Sequence, residues 1–328
     1  MKKIIAFVTG GYSGEAEVSY KSAITMEAEV DKSVYDVYRI DITPESWFHP
    51  TADGRKIQVD KNDFSLQIDG RKIRFDAVLI GIHGTPGEDG KLQGYFDLMN
   101  LPYTTCDAAT SALTFNKRYT VAVAAFAGIP VSHSEHLFRR DKPDAATIAA
   151  KLKFPVFVKP NNGGSSVGMS KVQNAAGLHD AFERAFTEDD QILVEEFIKG
   201  REFSIGIARL HGKIKVLPAT EIISSKEFFD YEAKYTPGVS KEITPGNLTP
   251  EQNEKIAEIV TEVYLRLNCK GMVRIDFILL EGTEEFYFIE INTTPGQSAN
   301  SLIPQQVRAA GMNVGEFYGE LIEGTIRH

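Results

Sequence analysis

Ile4–Val8 is an uninterrupted apolar run that stops at Gly10-Gly11. A strand without polar alternation must be covered on both faces, which places it inside a parallel sheet flanked by helices. The segment from about Glu17 to Asp31 follows, with Val18, Ala23, Met26 and Val30 roughly on one helical face. Val34–Ile40 reads as a second strand. Strand, glycine turn, helix and strand in this order make an α/β unit. Ala77–Ile82 is another buried strand, ended by H-G-T-P-G-E-D-G. Between them stand two near-copies, D-G-R-K-I-Q-V-D (53–60) and D-G-R-K-I-R-F-D (69–76). Asp-Gly between alternating residues signals a hairpin. Two short copies do not make a solenoid, so the pair reads as a small antiparallel meander inserted in the first domain.

The remaining elements follow from the same signals. Helices are expected over 91–101, Thr114–Gly128, Ala145–Leu152, 175–186 and 314–325. A further helix opens at Thr249-Pro250, where Gln252 completes a capping box; Ile256, Ile259, Val260, Val263 and Leu267 form its buried stripe. Strands are expected at Val156–Lys159, Gly168–Val172, Ile192–Glu196, 202–209, Met272–Leu280 and Glu285–Ile291. The polar stretch 224–247 is long for a structureless connection and reads as a lid. The 328 residues exceed a single core and divide at 1–105, 106–197 and 198–328.

Several function classes drop out. The chain has 45 acidic against 36 basic residues, a net charge of −9 and no long basic run, which argues against a nucleic-acid partner. The first apolar run is too short for a signal peptide, and no stretch reaches the roughly 18 apolar residues of a membrane span. The two cysteines, Cys106 and Cys269, have no CxxC partner. They read as small core residues of a cytoplasmic protein rather than a disulfide scaffold or zinc site.

Residues that could carry chemistry fall in three groups. Glu290 and Asn292 are two apart on a strand and share a face, as do Arg274 and Asp276. Beside one another, Asp276, Glu290 and Asn292 offer the all-oxygen set that suits Mg²⁺; read singly, each is an ordinary solvated strand residue. Lys159 ends a strand just before the loop N-N-G-G-S-S-V-G. Such a loop can wrap backbone N–H groups around phosphate, but a usual phosphate loop places its lysine after the glycines and before a helix. Lys117 and Lys234, from other segments, could join Lys159 around a triphosphate, although each alone reads more readily as a solvated surface lysine. Strand 192–198 offers Glu195, Glu196 and backbone groups for adenine, and Glu202 suits ribose hydroxyls. The turn G-G-Y-S-G-E (10–15) lacks the dinucleotide spacing G-x-G-x-x-G. It still presents a helix N-terminus for a carboxylate, and Glu15 for an ammonium group. Together these describe an amino acid.

Six motifs in order then carry a resemblance: G-G-Y-S-G-E-A-E-V-S (10–19), H-G-T-P-G-E-D-G (83–90), V-K-P-N-N-G-G-S-S-V-G-M-S-K-V (158–172), Y-E-A-K-Y (231–235), R-I-D (274–276) and E-I-N-T-T-P-G (290–296). The sequence resembles the D-alanine–D-alanine ligases of the ATP-grasp superfamily along nearly its whole length. The resemblance implies an α/β (α+β overall) chain, an ATP-grasp fold preceded by a parallel-sheet α/β domain. It implies a glycine hairpin folding over phosphates, with its lysine on the preceding strand. It further implies Lys117, Lys159, Ser166 and Lys234 at the ATP phosphates, Glu195 with the backbone near Glu196 and Ile198 at adenine, and Glu202 at ribose. Asp276, Glu290 and Asn292 correspond to ligands of two Mg²⁺ ions, with Mn²⁺ as an alternative. Glu15, with Ser165 and Tyr235, is similar to the set that binds the first D-alanine; Ser301 to a contact of the second; Arg274 and the N–H of Gly296 to oxyanion donors. Tyr235 goes with dipeptide rather than ester synthesis. Asn300 departs from members that carry histidine there, and segment 45–75 is longer than in compact members. The implied setting is peptidoglycan precursor synthesis by a cytoplasmic homodimer paired through the first domain.

Three rivals make different demands. A non-catalytic ATP-binding module should lack one of Asp276, Glu290, Asn292 or Arg274. A dinucleotide oxidoreductase needs another glycine spacing. An ATP-grasp ligase for a different acid and amine should lack the set Glu15, Ser165 and Tyr235.

Overall fold

The computed structural model describes residues 2–164, 166–224 and 240–326. β1 (Lys3–Gly10) is buried over its last six residues. It leads through α1 (Ala16–Glu29) into β2 (Tyr35–Ile42), its parallel partner. The Asp-Gly repeats form the expected meander: β3 (Trp47–Pro50), β4 (Lys56–Asp60), β5 (Ser65–Ile68) and β6 (Arg71–Ile73) follow one another antiparallel. β7 (Ala77–Ile80) then returns to pair in parallel with β1, and the seven-stranded order is β6-β5-β4-β3-β2-β1-β7. α2 (Lys91–Leu98) covers one face through Leu92 and Phe96.

The helix expected over Thr114–Gly128 is two helices, α3 (Ala108–Phe115) and α4 (Lys117–Phe126). Asn116 separates them with an extended backbone, and its side chain caps α4 by accepting from Tyr119 N–H at 3.0 Å. An asparagine at an N-cap outweighs helical propensity on either side. The break makes Lys117 the first residue of a helix.

The next unit is an antiparallel sheet ordered β10-β9-β11-β8. It comprises β8 (Ser134–Phe138), β9 (Val156–Pro160), β10 (Ser170–Val172) and β11 (Gln191–Glu196), with α5 (Ala145–Ala149) and α6 (Leu178–Glu188) on one side. Val156, Val158, Ile192 and Val194 face Leu178, Phe182 and Phe186 of α6. The alternate residues, Lys159 and Glu195 among them, therefore face the other way.

The last sheet contains β12 (Gly200–Leu210), β13 (Lys213–Val216), β14 (Thr220–Ser224), β15 (Ser240–Ile243), β16 (Met272–Leu280) and β17 (Phe286–Asn292), every pairing antiparallel. α7 (Pro250–Arg266) carries the expected capping box between Thr249 and Gln252. Its Ile256, Val260 and Val263 join Phe203, Ile205, Val273, Ile275 and Phe277 in one core. Ala124 of α4 and Cys106 enter the same core, so α3 and α4 pack on this sheet although they precede the middle one in sequence. Part of the stretch 224–247 is not loop: β14 and β15 pair across it. Its centre, with Lys234 and Tyr235, lies outside the described residues. α8 (Leu302–Ala309) and α9 (Val314–Ile326) finish the chain, and α9 returns to the first sheet, with Phe317 and Leu321 against Ile5, Phe7 and Leu79.

Both cysteines are buried and free, as expected of core residues. They are far apart in sequence but adjacent in space. Cys106 Sγ bonds the N–H and C=O of Lys270, next to Cys269, and its hydrogen bond to the Cys269 thiol, with burial, pushes that thiol's pKa up.

Candidate active site

Strand register sets the polar face of the last sheet. Asp276 is the direct partner of Glu290, Arg274 of Asn292, Ser204 of Asp276, and Glu202 of Ile278. Cross-strand partners share a face, so Glu202, Ser204, Arg274, Asp276, Glu290 and Asn292 form one stripe while Phe203, Ile205, Val273, Ile275 and Phe277 fill the core opposite. A register irregularity between Asp276 and Phe277 brings Glu290 opposite Asp276.

Within the stripe, Arg274 grips Asp276 with two bonds, Nε to Oδ1 at 3.1 Å and a terminal nitrogen to Oδ2 at 2.9 Å. Ser204 O–H donates to Asp276 Oδ1 at 2.5 Å. Burial works against the Arg274 charge, but Asp276, Glu290 and Glu88 outweigh it and raise its pKa. Asn292 Oδ1 accepts from Thr294 N–H at 3.0 Å.

Glu88 of the first domain acts on Arg274, and Glu15 stands beside Glu88. Glu15 sits at the start of α1. A Cβ on Gly84 would lie 2.6 Å from one of its carboxylate oxygens, and a Cβ on Gly164 would lie 2.5 Å from the other. The carboxylate is thus enclosed between the H-G-T-P-G-E-D-G loop and the glycine loop, and a side chain at either glycine would displace it. Glu88 is buried and accepts from Gly84 N–H at 2.5 Å. Burial, then the Glu15 charge, push its pKa up to about 8. His83 is buried as well, and burial followed by the Arg274 charge lower its pKa to about 4. Sequence reading does not single out Glu88 or His83, although both lie in a motif already noted, because burial and distant partners give them their role.

The glycine loop is tied down at its base. Asn161 accepts Lys117 N–H through its backbone carbonyl (3.0 Å) and Arg118 N–H through its side chain (2.9 Å). Lys117 Nζ donates to Gly163 O at 2.6 Å. Ser166 adopts a left-handed backbone, φ 57°. Lys159 and Glu195, on neighbouring strands, form a buried ion pair. Glu195 is also the cross-strand partner of Phe157, whose ring stands edge-on to Phe197 with centroids 5.7 Å apart. Ile198 follows directly. The Glu196 side chain is committed elsewhere, accepting from Lys153 N–H (2.9 Å) and bonding His133 (3.1 Å). Gly296 and Ser301 are neighbours: a Cβ on the glycine would lie 2.9 Å from Ser301 Oγ, which bonds Ser298 Oγ at 2.7 Å. Ser165, Lys234 and Tyr235 lie outside the described residues.

The donor set suits a divalent cation bound through phosphates. Asp276, Glu290 and Glu88 act on the Arg274 guanidinium, and Glu15 acts on Glu88. Among the described residues no three His, Cys, Asp or Glu side chains are placed to hold a metal. Asp276, Glu290 and Asn292 would therefore need further oxygens, as Mg²⁺ sites take from substrate phosphates and water.

A lobe with a glycine hairpin, followed by an antiparallel sheet bearing this stripe, defines an ATP-grasp ligase. Comparison with known proteins agrees. Residues 4–106 match the family described as D-ala D-ala ligase N-terminus, and residues 120–323 the one described as D-ala D-ala ligase C-terminus. The chain is 44% identical to a D-alanine–D-alanine ligase of Flavobacterium johnsoniae, over 98% of each chain. The VanG D-Ala:D-Ser ligase of Enterococcus faecalis superposes with a TM-score of 0.89 at 32% identity, covering 99% of this chain and 100% of the other. The Bacillus anthracis D-alanine–D-alanine ligase in complex with ATP superposes with 0.79 at 28% identity, covering 100% and 98%. The chain belongs to the D-alanine–D-alanine ligase family.

Proposed function

We propose that the chain joins two D-alanines to D-alanyl-D-alanine, with cleavage of ATP to ADP and phosphate, by way of D-alanyl phosphate. The observation that carries this reading is the stripe Arg274–Asp276–Glu290–Asn292, linked to Glu15 through Glu88. A carboxylate is a poor acyl donor. Its oxygen therefore first attacks the γ-phosphorus and ADP leaves. The free amine of the second D-alanine then attacks the acyl carbon, and phosphate leaves with the carboxylate oxygen.

In this reading Glu15 takes the ammonium of the first D-alanine, with Ser165 and Tyr235 beside it. Lys117, Lys159, Ser166 and Lys234 meet the phosphates. Glu195 and the backbone at Glu196 and Ile198 meet adenine, with Phe157 and Phe197 as an apolar wall, and Glu202 meets ribose. Asp276, Glu290 and Asn292 would hold two Mg²⁺ ions, or Mn²⁺, which neutralise phosphate charge when bound. Arg274 and Gly296 N–H donate to the tetrahedral oxyanion, a role in which one donor is often worth about 3–4 kcal/mol. Ser301 takes the carboxylate of the second D-alanine. The lid expected from the stretch 224–247 would keep water from the acyl phosphate. The chain works in the cytoplasm as a homodimer supplying peptidoglycan precursors; among the described residues no helix is long and apolar enough to cross a membrane.

The test is ADP release with Mg²⁺, ATP and D-alanine, run beside L-alanine, D-alanine plus D-lactate, and D-alanine plus D-serine, with products identified by mass. D-serine belongs in the set because of the likeness to a D-Ala:D-Ser ligase. Dipeptide from D-alanine alone at full rate is expected. Preferred incorporation of D-lactate or D-serine would overturn the assignment of the second substrate, and no turnover despite ATP binding would favour a nucleotide-gated scaffold.

A further inference from the structure

The peptide unit joining Pro295 to Gly296 is planar, so the direction of the Pro295 carbonyl fixes the direction of the Gly296 N–H. That carbonyl accepts a hydrogen bond from Gln297 Nε2 at 2.8 Å. Gln297 is itself held at three further points. Its Nε2 also donates to Met272 Sδ at 3.4 Å, its side-chain oxygen accepts from Tyr318 O–H at 2.8 Å, and its backbone N–H donates to Ser22 Oγ at 3.1 Å. Ser22 Oγ lies 2.9 Å from His83 Nε2, and Ser19 Oγ accepts the His83 N–H at 2.9 Å. His83 in turn bonds the backbone of Thr294. Ser19, Ser22, His83, Thr294, Gln297 and Tyr318 are all at most 5% exposed. The chain of bonds thus runs from α1 through the 83–90 loop to the residues on both sides of Gly296, and on to α9.

We infer that Gln297 is a positioning residue that aims the Gly296 N–H at the reacting carbonyl, and that Ser22 and Tyr318 lock Gln297 in place. The inference rests on the reading of Gly296 and Arg274 as oxyanion donors. It makes the first domain a determinant of turnover as well as of substrate binding: α1 reaches the oxyanion donor through one serine. A donor that swings away by an ångström loses its effect in the transition state while ground-state contacts to ATP persist.

The experiment measures kcat and both KM values for Q297E, Y318F, S22A and R274Q, with Tm for each. Q297E keeps the side-chain shape and the acceptor for Tyr318 but loses the donor to Pro295. Expected are a kcat lower by roughly tenfold to a hundredfold in Q297E, a smaller fall in Y318F and S22A, and a KM for ATP within about twofold of wild type. S22T, which restores the hydroxyl, should recover most of the loss in S22A. If Q297E does not fold, Y318F decides the matter by the same split. Wild-type kcat in Q297E or Y318F alongside a disabled R274Q would overturn this inference and leave the oxyanion reading standing. Wild-type kcat in R274Q would overturn the oxyanion reading itself. A fall in kcat matched by rising KM for both substrates and falling Tm would show a structural role only, and would also overturn the inference.

Discussion

Asp276 and Glu290 face each other directly across two antiparallel strands, and the Asp276 carboxylate is held by two bonds from Arg274 two residues earlier on its own strand. Both carboxylates act on the Arg274 guanidinium, which couples them. In the proposed reading Glu290 is a cation ligand. In E290Q the Mg²⁺ concentration for half-maximal ADP release should rise by at least about tenfold, since even indirect support of a metal ligand is commonly worth 10–100-fold in affinity. D276N should lose Arg274 placement too and show a larger fall in kcat. An unchanged Mg²⁺ dependence in E290Q would remove Glu290 from the metal site.

Gly164 touches Glu15 without a side chain of its own. In G164A the new Cβ would lie 2.5 Å from a carboxylate oxygen, and the flexible end of Glu15 would yield. The fold should persist with a Tm near wild type, while KM for the first D-alanine rises several-fold. Unchanged saturation by D-alanine would separate Glu15 from the substrate pocket.

Glu88 and His83 predict opposite pH dependences of stability. His83 has a folded pKa near 4 against an ordinary 6.5, so its contribution is present above 6.5 and is lost as pH falls toward 4. Glu88 has a folded pKa near 8 against 4.5. Between those values the folded chain keeps a proton that the unfolded chain releases, so stability declines as pH rises. From pH 6.5 to 8 the Glu88 effect acts alone of the two. Thermal unfolding of the ligand-free protein should show a falling Tm there, and E88Q should flatten it. Parallel curves for the two proteins would contradict the burial argument.

Lys159 and Glu195 form an ion pair with side chains 10% and 12% exposed. Removing one partner strands the other charge, which for buried pairs costs about 3–5 kcal/mol. E195A should unfold at markedly lower denaturant than wild type, and ATP should restore part of the difference by supplying phosphate charge to Lys159. Equal midpoints would mean that water reaches the pair freely.

Much of this site was legible in the chain because its parts lie within short motifs of strict period. Arg274 and Asp276, and Glu290 and Asn292, are two apart on strands, so each pair shares a face before any fold is known. Which residue of one strand opposes which of the other depends on a register shift at Asp276/Phe277 that no local pattern marks. Lys117 was visible, but its aim depends on Asn116 ending one helix and capping the next, where helical propensity alone reads straight through. Glu88, His83 and Ser22 act through burial and partners from distant segments, so their types and spacing carry little signal. Cys106 and Cys269 illustrate the same limit: each reads as a core residue, and only the fold places them side by side. The stretch 224–247 reads as polar loop, yet its first residue ends β14 and Ser240–Ile243 form the edge strand β15; polarity alone does not mark an edge strand.

The central claim is that acyl transfer passes through D-alanyl phosphate, and oxygen transfer tests it most directly. D-Alanine labelled with ¹⁸O in the carboxylate is turned over with ATP and Mg²⁺, and the inorganic phosphate is weighed. The mechanism predicts one ¹⁸O in each phosphate released alongside dipeptide. Dipeptide formed with unlabelled phosphate would contradict it.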